Sequence, residues 1–154
     1  MCKQSLSANP MKPHGSKFEY ERERDEDLLQ TFRRLIVESK VINILDICSI
    51  LVNSPSKRFW VSEERAAIVL SSMMKGDKLE KMRPTKREMF NEIYRRAMEL
   101  RKENPKMTIF ELAFHVVRQP APKFYVTPKS AKYLILCAKK RCYEETKRRL
   151  KHMF

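Results

Sequence analysis

The hydrophobic pattern of the chain predicts two long helices. Apolar residues recur at spacings of three and four, which is the period of a helix with one buried face. The first helix is expected at about Asp25–Ser39 and the second at about Arg87–Glu103. The apolar positions are Leu28, Leu29, Phe32, Leu35 and Ile36 in the first helix, and Phe90, Ile93, Tyr94, Ala97, Met98 and Leu100 in the second.

Capping signals predict where four further helices begin. The run Thr108-Ile109-Phe110-Glu111 is a capping box, in which the hydroxyl and the carboxylate each satisfy a backbone amide. The other starts are Asn43 with Asp46, Ser62, and Thr127 with Pro128 at the first helical position. The expected ends are Val52, Lys75-Gly76, Arg118 and about Met153.

Two short extended stretches are predicted between these helices, at Phe59–Val61 and Phe124–Val126. Alternation along a strand sends Phe and Val inward and leaves Trp60 and Tyr125 more exposed. Two interpretations of Trp60 and Tyr125 stay open: they stack on unpaired bases, or they close a small core.

The order of apolar, aromatic and proline positions repeats along the chain. Residues 44–70 align without a gap on residues 109–135, at an offset of 65, so that Arg58-Phe59-Trp60-Val61-Ser62 matches Lys123-Phe124-Tyr125-Val126-Thr127. The alternative is chance similarity between amphipathic helices, but Pro55 and Pro120 and the aromatic pairs keep one register.

The repeat predicts an all-α fold built by tandem duplication of a small three-helix unit, with a long basic helix at the C-terminal end. We expect a flexible arm at residues 1–22, unit one at 23–76, a charged linker at 77–86 and unit two at 87–154. A helical pair followed by a capped third helix resembles the helix-turn-helix DNA-binding domains. The link from Val52 to Ser62 departs from that family, because it is much longer than the usual turn.

Composition excludes several classes of protein. The 154 residues include only 2 Gly, which rules out Gly-rich phosphate loops and nucleophile elbows. No apolar run approaches the ~20 residues of a membrane span, and residues 1–10 do not have the pattern of a secretory signal. We therefore expect a cytoplasmic protein that does not contact membranes.

The four cysteines, Cys2, Cys48, Cys137 and Cys142, contain no C-x-x-C pair and indicate free thiols in a reducing compartment. Cys137 and Cys142 would lie about 140° apart on one helix, which is poor geometry for joint zinc ligation with His152. We predict no metal, no cofactor and no catalytic residues, hence a protein that is not an enzyme.

The net charge of +14 is concentrated in the second half of the chain. Residues 23–76 carry eight basic and eight acidic side chains, whereas residues 77–154 carry twenty-one basic and nine acidic ones. Two clusters on the last helix, 139–141 and 147–151, are separated by about two turns and lie on a similar face. Clustered cations suit a polyanion, although a solvated helix kept soluble by its charge is the alternative.

These patterns predict a small nucleic-acid-binding regulator or accessory factor that prefers duplex DNA. Unit two is expected to bind the nucleic acid, because the first turns of its third helix carry Lys129, Ser130 and Lys132, which can contact phosphates or base edges. Unit one has Glu63-Glu64 at the start of its third helix, which would repel phosphate, so it is expected to scaffold or to bind a protein. The alternatives are an RNA- or single-strand-binding protein and a tandem-repeat adaptor for proteins; the oligomeric state is open. The predicted contact residues are Arg95, Arg96, Lys123, Tyr125, Lys129, Lys132, Lys139, Lys140, Arg141, Lys147, Arg148, Arg149 and Lys151.

Overall fold

Six α-helices and their connections form the part of the protein that the computed structural model describes, residues 15–40 and 43–154. The all-α prediction is confirmed, and within these residues no strand is formed. None of the described helices has an apolar stretch long enough to cross a membrane. The helices are α1 (Gly15–Glu38), α2 (Ile44–Val52), α3 (Glu63–Met74), α4 (Pro84–Glu103), α5 (Ile109–Val117) and α6 (Pro128–Lys151).

The predicted helix starts are confirmed at α2, α3, α5 and α6. Their N-caps are Asn43, Ser62, Thr108 and Thr127, and each of these side chains accepts a hydrogen bond from an amide of the first turn. The capping box of α5 is complete: the Thr108 amide donates to the Glu111 carboxylate at 2.7 Å, and the Glu111 amide donates to the Thr108 hydroxyl at 3.3 Å. Local capping chemistry therefore sets where these helices begin.

Helix α1 begins at Gly15 and not at Asp25 as predicted. Residues 15–22, expected to belong to a flexible arm, are helical, and residues 1–14 of that arm lie outside the described residues. The acidic run at 25–27 consequently occupies the interior of α1 and not its first turn. Asp25 and Asp27 are buried, so they take part in packing and do not complement the helix dipole.

The six helices pack around two hydrophobic cores. One core is formed by α3, α4 and α5 with Phe59 and Tyr125, and the other by α1, α2 and α6 with Phe124. Each core therefore takes its third helix from the far half of the chain, and neither core is confined to residues 23–76 or 87–154. Within the described residues, α2 makes no contact with α3, and α5 makes none with α6.

The segments that lead into α3 and α6 cross each other between the cores. Ser56 and Ala121 exchange backbone hydrogen bonds of 3.0 and 3.1 Å. The amide of Phe59 donates to the Val117 carbonyl at 3.1 Å, and the amide of Phe124 donates to the Val52 carbonyl at 3.2 Å. Phe59 and Phe124 are 65 residues apart, and so are Val52 and Val117. These two hydrogen bonds are therefore counterparts of each other at the offset found in the sequence.

The aromatic side chains of the two crossing segments do not alternate as predicted. Phe59 and Phe124 are buried, as expected, but Tyr125 is also buried, and Trp60 is half-buried. Tyr125 has a φ of 55°, outside the extended region, so its side chain turns into the α3–α4–α5 core. There its ring stacks on Phe59 at a centroid distance of 6.0 Å. The prediction that Tyr125 is exposed is therefore wrong.

Candidate nucleic-acid interface

The two sides of α6 differ in their neighbours. Ala131, Ile135 and Ala138 are buried against α1 and α2, which fixes the orientation of the helix. Its start is held by Thr127, whose hydroxyl accepts from the Ser130 amide at 3.2 Å, and Pro128 is the first helical residue. The opposite side of α6 is thus presented to solvent along its whole length.

Eight residues on that side form a continuous band, which we call the α6 stripe. At 100° per residue they fall within an arc of about 100°, and at 1.5 Å per residue they span about 33 Å. The four lysines have exposed side chains or lie at the exposed end of the helix, and they form no ion pair or hydrogen bond within the described residues. The stripe consists of Lys129, Tyr133, Leu136, Lys140, Tyr143, Lys147, Leu150 and Lys151.

Large apolar side chains on the stripe were not among the predicted contact residues. Tyr133 and Tyr143 are each 67 % exposed, Leu136 is 53 % exposed and Leu150 is 50 % exposed. Such side chains are normally the first to be buried in a monomer. Taken together with the lysines, these side chains recur at alternating spacings of four and three residues from Lys129 to Leu150. This pattern was the sequence signal for this face.

The predicted basic cluster at 139–141 is divided by the helical geometry. Lys139 lies over the ring of Phe32, with its Nζ 4.7 Å from the centroid. Arg141 donates to the Asp25 carboxylate at 3.4 Å. Of this cluster, Lys140 belongs to the stripe, whereas its neighbours fasten α6 to α1. Lys132 lies at the same angle as Leu150, at the edge of the stripe, but it is half-buried.

Arg148 and Arg149 are exposed but project to other sides of α6 than the stripe. They lie about 100° and 160° from Lys147 around the helix axis, in opposite directions. No ion pair or hydrogen bond engages either side chain in the described part of the chain. They therefore add positive potential around the end of α6 without extending the line of lysines.

The predicted contact residues of α4 have internal partners. Arg95 pairs with Glu92 and Glu99, at 2.7 Å in each case. Arg96 pairs with Glu92 at 2.8 Å and donates to the Pro120 carbonyl at 2.9 Å, while its guanidinium lies 5.1 Å from the Phe59 centroid. Arg95 is therefore engaged within α4, whereas Arg96 also fastens α4 to the two crossing segments.

The predicted contact residues of the second crossing segment are engaged as well. Lys123 pairs with Glu88 of α4. Burial raises the pKa of Tyr125 to about 12, and the negative charges of Glu92 and Glu88 act in the same direction. A ring inside the core cannot stack on a base, so the structure places Tyr125 in the core.

Glu63, expected to repel phosphate, is instead enclosed by partners. Tyr20 donates to its carboxylate at 2.7 Å, and Arg58 and Arg118 pair with it at 3.4 and 3.5 Å. Burial alone would raise the pKa of Glu63, but the Tyr20 hydrogen bond and the two arginines hold it below the ordinary value. This carboxylate joins α1, α3 and the C-cap residue of α5, and its side chain is only 12 % exposed.

Comparison with known proteins gives no likeness from which to argue: no family model, no curated protein and no solved structure matches the chain. Across residues 15–40 and 43–154, no three His, Cys, Asp or Glu side chains are grouped so that they could hold a metal ion. Cys48 is buried in the α1–α2–α6 core, as expected of a small apolar thiol. The α6 stripe is accordingly the candidate interface.

Proposed function

We propose that this protein binds nucleic acid, with duplex DNA preferred, through the α6 stripe, and that it acts as a binding factor and not as an enzyme. One observation carries the proposal: four lysines without internal partners lie in a line along a helix whose other side is packed on the protein body. Binding to phosphates would release the counterions condensed on the nucleic acid, and this release favours association.

The dimensions of α6 favour a duplex. The major groove of B-DNA, about 12 Å wide, admits an α-helix, and a rod of about 33 Å is close to one turn of the duplex. Lys129 and Lys140, and then Lys147 and Lys151, would contact phosphates along this length. Leu136 and the tyrosines between them would meet base edges, where apolar groups contact the thymine methyl.

A salt titration of paired variants tests the proposal. Replacing Lys140 and Lys147 by Gln should lower duplex affinity and reduce the slope of log K against log salt by about 1.8, about 0.9 for each lost phosphate contact. The matched control replaces Lys102 and Lys106, which are exposed and lie off α6. Equal losses in both variants, or binding that does not respond to salt, would contradict the proposal.

A protein-binding role is the second candidate, favoured by the exposed apolar side chains. Besides the stripe, Ile44, Leu45 and Ile50 of α2 are each about half exposed, at 46–47 %. They give the first half of the chain an apolar surface on which a protein could dock, in keeping with the predicted division of labour. In the titration above, an adaptor would not bind the duplex in a salt-dependent way.

We further infer that the chain is an internal duplication in which the third helices are exchanged between the two cores. The reciprocal hydrogen bonds between residues 65 positions apart support this inference. In that scheme α3 and α6 are equivalent, and a helix-turn-helix-like pair would be formed by α2 with α6. Because α3 begins with Glu63-Glu64, one basic helix per chain would contact the nucleic acid.

A further inference from the structure

An open cleft lies where the first crossing segment meets the start of α4. Its volume is about 440 Å³, within the range of about 300–1,000 Å³ usual for small-molecule sites. We call it the Trp60 cleft. It is lined by Trp60, Val61, Arg65, Lys81, Met82, Arg83, Lys86, Met89 and Phe90. No residue of the α6 stripe belongs to it.

The charge of the cleft has one sign. Arg65, Lys81, Arg83 and Lys86 line it, and no carboxylate does. All four are exposed, and their side chains form no ion pair or hydrogen bond within residues 15–40 and 43–154. Four unpaired cations around one hollow repel each other unless an anion lies between them. The cleft therefore favours a ligand with concentrated negative charge, such as a phosphate.

Trp60 gives the cleft a flat aromatic wall with a fixed position. Its Nε1 donates to the carboxylate of Asp27 at 3.2 Å, and Asp27, only 4 % exposed, also accepts from the Lys57 amide at 2.9 Å. The indole is partly packed against the α1–α2–α6 core, and its remaining surface lines the cleft. Met89 and Phe90, both buried, form an apolar floor. An aromatic wall with an apolar floor suits a planar ring.

A neighbouring hollow shows on which side a phosphate would lie. It shares Trp60, Val61, Arg65 and Lys86 with the cleft, but it is also lined by Glu21 and Glu64. These carboxylates would repel an anion. The phosphate is therefore expected toward Lys81 and Arg83, on the α4 side of the indole.

We propose that the Trp60 cleft binds a phosphorylated nucleobase, with the base against Trp60 and the phosphate among Arg65, Lys81, Arg83 and Lys86. The ligand is either a free nucleotide or an unpaired nucleotide within a strand, since both have this chemistry. This site is separate from the α6 stripe and does not depend on it.

Trp60 is the one tryptophan of the chain, so its fluorescence reports directly on the cleft. The probes are adenosine 5′-monophosphate, adenosine, inorganic phosphate and a ten-nucleotide single-stranded adenine oligomer. We expect saturable quenching by the monophosphate, with at least tenfold weaker apparent affinity for adenosine and for phosphate. An oligomer that quenches at lower concentration than the monophosphate identifies a strand as the source, and the reverse order identifies a free nucleotide. No saturable quenching by either nucleotide probe overturns the proposal.

Paired variants separate this site from general charge effects. Lys86→Gln should weaken the monophosphate at least tenfold, whereas Lys102→Gln, at the other end of α4 and about 24 Å away along the helix, should leave it unchanged. Circular dichroism checks that both variants are folded. Equal losses in the two variants overturn the proposal. Quenching should also persist when Lys140 and Lys147 are replaced by Gln, so failure of the stripe and failure of the cleft are distinguishable.

Discussion

Replacing Phe59 by Ala should weaken the α3–α4–α5 core. Phe59 lies between α2 and α3 in the chain, but its side chain packs with α4 and α5, which are distant in sequence. The side chain is 0 % exposed, stacks on Tyr125 and lies beneath the Arg96 guanidinium. Removing a buried Phe side chain costs about 3 to 5 kcal/mol, because the transfer energy is lost and a cavity remains. For a protein of this size, that corresponds to a fall of roughly 6 to 20 °C in Tm.

Urea unfolding followed by circular dichroism gives the loss of stability, and native-state hydrogen exchange locates it. We expect amide protection to fall first in α3, α4 and α5. The matched variant Phe124→Ala should show the reverse pattern, with faster exchange in α1, α2 and α6, because Phe124 belongs to that core. Val37→Ala, at a position 85 % exposed, is the surface control and should change stability by less than about 0.5 kcal/mol.

This placement of Phe59 would be refuted if Phe59→Ala cost less than about 1 kcal/mol, well under the range for a buried Phe. It would also be refuted if each Phe variant loosened the helices nearest to it in the sequence. Either result would mean that α3 does not pack with α4 and α5, or α6 with α1 and α2, in solution.

Three further predictions concern pH, α6 and its cap. The pKa of Tyr125 in the folded protein is about 12, whereas its ordinary value is 10.0. Through this group, the free energy of unfolding should fall by on the order of 2 kcal/mol as the pH rises from 10 to 12. The urea midpoint of Tyr125→Phe should not show this fall. Ending the chain after Ala138 should abolish duplex binding in an anisotropy assay but keep the helical circular dichroism spectrum, because the buried residues of α6 remain. Thr127→Ala should cost about 1 kcal/mol in urea unfolding, through loss of the α6 cap.

Each of these has a control or a contradicting result. A fall in the urea midpoint between pH 10 and 12 that is as large in Tyr125→Phe as in the unsubstituted protein would contradict the first prediction. Duplex affinity that survives truncation after Ala138 would place the contacts away from the end of α6. Thr127→Ser, which keeps a hydroxyl acceptor at the cap, should restore most of the stability lost in Thr127→Ala.

Local chemistry made much of the fold predictable from sequence. Asn43, Ser62, Thr108 and Thr127 each act on amides within a few residues, so their patterns could be recognised without knowing the rest of the fold. The start of α1 at Gly15 has no such signal, and the apolar spacing, which begins only at Leu28, placed the start of this helix at Asp25.

Packing partners could not be read in the same way. The apolar face of α6 shows that Ala131 and Ile135 are buried, but the pattern is the same whether α5 or α2 covers them. The left-handed φ of Tyr125 is likewise imposed by the crossing of two segments distant in sequence. For the candidate site, charge counting found α6, whereas the contact of Arg96 with Pro120 and the pair of Arg141 with Asp25 depend on tertiary neighbours. The pairs of Arg95 with Glu92 and Glu99 lie within α4 at spacings of three and four, which the sequence displays.

The packing of α6 with α1 and α2, and of α3 with α4 and α5, bears on how the molecule would withstand a protease. The linker between α3 and α4 is exposed at Lys78 and Glu80, so a cut there is easy to envisage. Yet α1 and α2 of the N-terminal fragment would still pack against α6, and α4 and α5 of the C-terminal fragment would still pack against α3. The two fragments of the nicked protein should therefore stay associated and migrate as one particle until denaturant separates them.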